Sequence, residues 1–236
     1  MIDSEKKSRM KRGFTILGIV TALLLCFALY EALIAAPTEQ TMGNVQRIFY
    51  YHVPSAWTAF LLFTINLVAS VVYLVRRNIK ADILALISAE VGVVFCTVVL
   101  VTGPIWARPV WGIWWTWDLR LTLTLVLWLI YVSYLVLRRF STSGKTPVIA
   151  AVLAIFGALD VPLVYFSMWF FRTQHPSPVI GDGGSLDPRM AHVLLINWAA
   201  FLCLAWLLCW TRYRLEFLKR EVEEAQALES LMETPR

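Results

Sequence analysis

The chain has 236 residues, 59% of them apolar and 16% charged, with 21 Lys+Arg against 16 Asp+Glu and a net charge of +5. Soluble domains run at about 45–50% apolar and about 25% charged. The surplus here stands in long blocks almost free of charge, which a single soluble core cannot absorb. A soluble enzyme, a disordered chain and a nucleic-acid binder are therefore excluded as leading classes. The basic residues gather at the ends of apolar blocks, as in membrane proteins.

In chain order the apolar blocks predict six transmembrane helices over 14–36, 55–75, 83–105, 121–137, 148–170 and 190–210. Most are long enough, at about 1.5 Å per residue, to cross a hydrocarbon core of about 30 Å. The fourth, with 17 residues, is at the short limit and is expected to extend into Arg138. Continuous apolar runs argue for helices, since barrel strands would alternate. The first block follows a basic start and ends at Ala35-Ala36, as a signal peptide does. It exceeds the usual apolar region of about 7–15 residues, so it is expected to stay as an uncleaved span. Residues 213–236 read as a short cytoplasmic helical tail of mixed charge, and 1–236 as one membrane domain without internal repeat.

Charge sets the orientation. The segments 1–13, 76–82, 138–147 and 211–236 hold 16 of the 21 basic residues. The remaining five are Arg47, Arg108, Arg120, Arg172 and Arg189. The positive-inside rule places both termini in the cytoplasm and the segments 37–54, 106–120 and 171–189 on the outer face. The cytoplasmic loops carry no Walker motif. Cys26, Cys96, Cys203 and Cys209 all lie in apolar blocks, without a C-x-x-C pair, and read as buried apolar residues.

The outer segments hold the unusual chemistry. Five of the 11 tryptophans fall between Trp106 and Trp117. As a helix, this segment would align Trp111, Trp114, Trp115 and Asp118 on one ridge and Trp106, Val110, Ile113 and Trp117 on the next. An interfacial aromatic belt is the plain reading, because Trp favours that depth in any membrane protein. The density suits a slab for a flat, apolar, aromatic ligand. The chain has three histidines. His52, in Arg47-Ile48-Phe49-Tyr50-Tyr51-His52-Val53-Pro54, and His175, in Arg172-Thr173-Gln174-His175-Pro176, lie on the outer face at similar depth. They are either polar interfacial residues or an axial pair for one metal, and a planar aromatic metal complex is heme. The prolines after them, Pro54 in the first turn of the second span and Pro176, favour an extended preceding residue and would aim the rings. Zinc lacks its further ligands here, since the outer segments offer no Cys. His192 reads as a helix-end residue. Of the outer cations, Arg47 and Arg120 suit carboxylates such as heme propionates. Asp118 can cap the fourth span or orient Arg120 or a histidine. Glu31 lies near the outer end of the first span, while Glu90 and Asp160 lie deeper and are either lining groups or neutral interhelical ones.

The run Trp111-Gly-Ile-Trp-Trp-Thr-Trp-Asp118 resembles the tryptophan-rich signature of the heme-handling proteins of cytochrome c maturation, and the chain is similar to the heme exporter protein C family. The likeness takes in the six spans, Arg47-Ile48-x-Tyr50-x-His52-Val53-Pro54, Val101-Thr102-Gly103, Trp117-Asp118-x-Arg120-Leu121-Thr122, Tyr165-x-Ser167 and Thr173-x-His175. Larger relatives with the same signature have more spans. The resemblance implies heme b held at the outer face of the inner membrane, with His52 and His175 as axial ligands. The platform would be Trp111, Trp114, Trp115, Trp117 and Asp118. It further implies delivery to a membrane-anchored periplasmic heme chaperone, work beside ATP-binding cassette transporter subunits and a small single-span subunit, no nucleic-acid partner and no enzymatic activity. Between His175 and Leu186 the sequence departs from the family pattern. A permease subunit for a hydrophobic substrate, with the Trp loop as a belt only, is the competing reading.

The charge asymmetry gives a direct test. A reporter fused after Arg236 or within 76–82 is expected to register the cytoplasmic side, and one within 178–186 the outer side. Inverted signals would reverse the side assigned to every candidate residue.

Overall fold

The protein's computed structural model describes residues 2–141, 143–171, 174–175 and 186–233. Among them the chain forms α1 (Ile2–Tyr30), α2 (Phe49–Arg76), α3 (Ile79–Trp111), α4 (Leu119–Phe140), α5 (Thr146–Ala158), α6 (Asp160–Phe170) and α7 (Pro188–Glu233). A π-helical turn, Glu31–Ala35, continues α1, and a 3-10 turn, Asn44–Ile48, leads directly into α2. Six helices are long and apolar enough to cross a membrane, α5 and α6 together making the fifth. Helices are what lipid demands, since no water there satisfies open backbone groups. The multi-span, all-helical expectation holds, with four local differences.

The fourth span runs from Leu119 to Phe140, so it extends at both ends of the expected 121–137 and takes in Arg138 and Arg139. The fifth is interrupted at Leu159, where the amide bonds Phe156 O at 3.2 Å. Pro162 explains the break: it has no N–H to offer the carbonyl one turn back. The tail at 213 is not a separate helix but the end of α7, which runs for 46 residues. No Gly or Pro falls between Arg189 and Glu233, so hydropathy changes at 213 while the helix does not stop. At about 1.5 Å per residue it is roughly 69 Å long, well over twice a bilayer core. The fourth difference, in the Trp segment, is taken up below.

The core forms where α2 packs along α3. The turn between them is tight: Arg77 adopts a left-handed conformation with φ 52°. Its amide reaches Tyr73 O at 2.8 Å, and Asn78 then caps α3 by accepting from Lys80 N at 2.8 Å. Phe63 of α2 stacks on Tyr131 of α4, with ring centroids 3.8 Å apart and planes 10° apart. The Phe63 ring reaches across α3 because residue 92 is glycine: a Cβ there would sit 2.7 Å from Phe63 Cε1. Asn66 donates to Ala85 O at 2.7 Å, joining α2 to α3 by a buried polar contact.

At the end of the bundle bearing the termini, charge replaces apolar packing. Asp82, its side chain 3% exposed, receives both terminal nitrogens of Arg138 and Arg220 Nη2, the last at 3.0 Å. Arg220 Nε also donates to Glu216 Oε1 at 3.0 Å. Two turns further along α3, Glu90 takes a bidentate pair from Arg212 at 2.7 and 2.8 Å. Glu90, left open between a lining and a neutral role in the sequence, is thus a salt-bridged rung between α3 and α7. For the buried Arg138–Asp82 pair, desolvation offsets much of the attraction, so its net contribution to stability is small.

Gly92→Ala is expected to destabilise the protein by about 1–3 kcal/mol through overpacking against Phe63. Thermal unfolding in detergent reads this, and Phe63→Leu in the same chain should recover part of the loss. An unchanged melting point for Gly92→Ala would show that Phe63 moves freely.

Candidate functional site

His52 lies in the first turn of α2, inside the helix and not just before it as the expected span 55–75 implied. The helix starts at Phe49, so Pro54 is inside it and Val53 is helical rather than extended. The ring is therefore aimed by helical geometry and not by an extended pre-proline residue. Pro176 falls outside the described residues, and so does Arg172. His52 and His175 come together: their ring centroids are 6.4 Å apart and their planes 31° apart. One metal gripped from opposite sides through bonds of about 2.0 Å would put two imidazole centroids roughly 6.3 Å apart. The observed centroid separation is close to that value.

Each histidine has a support. His52 Nδ1 is 2.9 Å from Thr102 Oγ1. His175 follows Gln174, whose amide donates to Asp118 Oδ2 at 3.2 Å. The other oxygen of Asp118 accepts from Leu121 N at 3.0 Å, capping α4. Asp118 therefore does one job its position allowed, capping α4, and one that the sequence did not announce, tying the segment of His175 to that helix.

The aromatic segment is helical only in its first half. α3 ends at Trp111, and Gly112, with φ 79°, closes it through a bond from its amide to Arg108 O at 3.0 Å. Glycine tolerates this left-handed conformation and so stops helices. Arg108 Nη1 also donates to Gly112 O. Residues 112–118 are non-helical, so the ridges of Trp111, Trp114, Trp115 and Asp118, and of Trp106, Val110, Ile113 and Trp117, do not form. Trp106 instead meets Trp111 edge-on at 5.1 Å, and Trp115 meets Trp117 edge-on at 5.9 Å. Trp114 and Trp117 are 59% and 77% exposed.

The two favoured arginines part company. Arg47 spends its donors on Ala32 O at 2.7 Å, Ala36 O at 3.2 Å and Asn44 Oδ1 at 3.3 Å. It fastens the first outer segment to the carbonyls that the π turn leaves open. Arg120, in the first turn of α4, stands within electrostatic reach of His52 and next to Asp118 and Tyr165. Its Nη1 is buried and has no hydrogen-bond partner among the described residues. The same holds for Trp115 Nε1, Thr116 Oγ1 and Thr122 Oγ1. Buried polar atoms are normally paired, so Arg120 Nη1 is a candidate donor to a polar ligand group.

His192 is elsewhere. It lines a cleft of about 370 Å³ with Glu31, Ala36, Pro37 and Arg189, and neither His52 nor His175 borders it. Asp187 caps α7 nearby, accepting from Arg189 N at 2.8 Å. Side-chain and backbone hydrogen bonds from Arg189 hold the Asp187 carboxyl below its ordinary range. Asp160 opens α6, with Oδ2 buried and unpartnered among the described residues. Sequence reasoning assigned no role to Thr102 or to the Gln174 amide. Thr102 had a signal, since Val101-Thr102-Gly103 is part of the family-like pattern; a main-chain amide had none.

The family model described as heme exporter protein C matches residues 4–228. Heme exporter protein C of Bradyrhizobium diazoefficiens is 35% identical over 217 residues, which are 91% of this chain and 82% of that protein. Heme exporter protein C of Haemophilus influenzae is 32% identical, over 87% of this chain and 85% of its own. A ccmC-like mitochondrial protein of cytochrome c biosynthesis from Marchantia polymorpha is 31% identical, over 77% and 78%.

The double duty of Asp118 has a measurable consequence. Asp118→Ala is expected to cost about 1 kcal/mol as a lost helix cap and to speed hydrogen exchange at both the Leu121 and Gln174 amides. Asp118→Asn keeps a side-chain acceptor and should lose much less. Faster exchange at Leu121 alone would show that the tie to Gln174 carries no weight.

Proposed function

The chain belongs to the heme exporter protein C family, and from that premise we propose that it holds heme b between His52 and His175 and passes it to a periplasmic heme chaperone. It is a multi-pass membrane protein of heme handling rather than an enzyme. The observation that carries the ligand assignment is the 6.4 Å separation of the two imidazoles, the value expected for an axial pair on one iron.

Bound heme supplies an iron that accepts two imidazole nitrogens and a flat apolar ring with two carboxylates. The chain's residues account for each part. His52 and His175 fill both axial positions, leaving no open site for oxygen chemistry, which suits holding over reacting. Trp111, Trp114, Trp115 and Trp117 offer indole faces and edges, and the exposure of Trp114 and Trp117 leaves them accessible to a ligand lying at the interface. Arg120 Nη1, buried without a partner among the described residues, suits a propionate, because a guanidinium binds carboxylate through charge-assisted hydrogen bonds. Arg47 fixes the segment that leads into His52, and its two remaining terminal N–H groups can still serve a propionate. Asp118 acts by holding the His175 side.

The 16-to-5 distribution of basic residues supports a cytoplasmic location for the termini and a periplasmic one for the histidine end, in a bacterial inner membrane. The long α7 then projects its charged end into the cytoplasm. We place the chain as one membrane domain beside ATP-binding cassette transporter subunits and a small single-span subunit.

His52→Gly and His175→Gly are each expected to lower bound heme and to shift its spectrum away from six-coordinate low spin. Added imidazole should restore part of both, since glycine leaves a hole near the size of the lost ring. His192→Gly should do neither. Wild-type heme spectra in both His52→Gly and His175→Gly would remove the basis of the proposal, whereas dependence on His192 would keep heme and replace the ligand.

A further inference from the structure

The Val101-Thr102-Gly103 step near the end of α3 takes no part in the binding roles above. Thr102 Oγ1 lies 2.9 Å from His52 Nδ1 and 2.7 Å from the carbonyl of Val98, with Val99 O at 3.4 Å. A hydroxyl has one proton to give and two lone pairs. A carbonyl can only accept, so the proton of Thr102 goes to Val98, the shorter contact. The oxygen then meets His52 with a lone pair, and Nδ1 must be the donor. A neutral imidazole with its proton on Nδ1 carries its free lone pair on Nε2.

We infer that Thr102 is a positioning residue that locks His52 as the Nδ1–H tautomer and thereby presents Nε2 as its metal-binding atom. The inference rests on the ligand role proposed for His52. The opposite arrangement, with Thr102 donating to Nδ1, would put the proton on Nε2 and close that nitrogen to iron. Gly103 bounds the same ring from the Cε1 edge, between the two nitrogens: a Cβ there would lie 3.5 Å from His52 Cε1, in ordinary contact. The ring is thus held at Nδ1 by a hydrogen bond and flanked at Cε1 by backbone. Donation from Nδ1 also raises the basicity of the ligating nitrogen, as outer-shell acceptors do for metal-bound histidines, and a more basic axial ligand favours ferric over ferrous iron.

The test uses the full chain purified with heme. Thr102→Val removes the acceptor at nearly constant volume, and Thr102→Ser keeps it. Thr102→Val is expected to weaken heme retention about tenfold and to raise the midpoint potential of the heme that remains, while Thr102→Ser stays near wild type. A merely structural role would lower the yield of protein and leave the potential of bound heme unmoved.

A second measurement holds even if Thr102→Val folds poorly. In His52→Gly, 4-methylimidazole and 1-methylimidazole have the same composition, but only the first keeps an N–H for Thr102. Half-maximal recovery of the heme spectrum should need roughly threefold to tenfold less 4-methylimidazole, and Thr102→Val in that background should erase the difference. Equal recovery by the two compounds, or a wild-type potential in Thr102→Val, overturns the role of Thr102 while leaving His52 a ligand. A wild-type spectrum in His52→Gly itself removes the ligand reading and this inference together.

Discussion

Two imidazoles from distant parts of the chain are brought side by side, and contacts from two other helices hold them there. His52 comes from the start of α2 and His175 from the segment after α6, and their centroids are 6.4 Å apart. Neither is held by its own element alone. His52 is bonded to Thr102 near the end of α3, and the residue before His175 is bonded to Asp118 at the start of α4. Thr102 and Asp118 bracket the tryptophan segment. The indoles are therefore strung between two anchors, each of which also holds one histidine. A shift in the segment would be felt at both rings, which makes it a mechanical link as well as an apolar surface.

The two ends of the bundle treat polarity differently. At the end with the termini, Asp82, Arg138, Arg220 and Glu216 form one ion-paired group and Glu90 and Arg212 a second. At the histidine end, Trp115 Nε1, Thr116 Oγ1, Arg120 Nη1 and Thr122 Oγ1 are buried without partners among the described residues. Each such atom costs free energy that packing must offset. Local conflict of this kind is expected where a protein is shaped for something it binds.

Much of this was legible in the sequence, and the reasons differ by residue. Apolar length and charge placement suffice for six spans, because lipid allows few alternatives. His52 and His175 could be paired because three histidines leave few combinations and two of them flank the aromatic run. The limits of α4 and α7 were not legible from hydropathy, since a helix continues through polar residues until a breaker or cap stops it. Asp118 and Gly112 were visible as residues but not as the stop and start that divide the Trp segment. Arg47 and Arg120 looked equivalent in sequence. Only the carbonyls of Ala32 and Ala36, freed by a π turn that no pattern announces, separate them.

The break at Gly112 also decides how the remaining indoles are presented, since α3 ends at Trp111 and residues 112–118 are non-helical. A helical version would satisfy its own backbone and present a narrow ridge. The non-helical segment leaves Trp114 and Trp117 59% and 77% exposed, while the Nε1 of Trp115 is buried. One segment thus carries both exposed indoles and a buried polar donor. That division matches a ligand with an apolar ring and a charged edge better than it matches a belt, which needs the apolar surface alone.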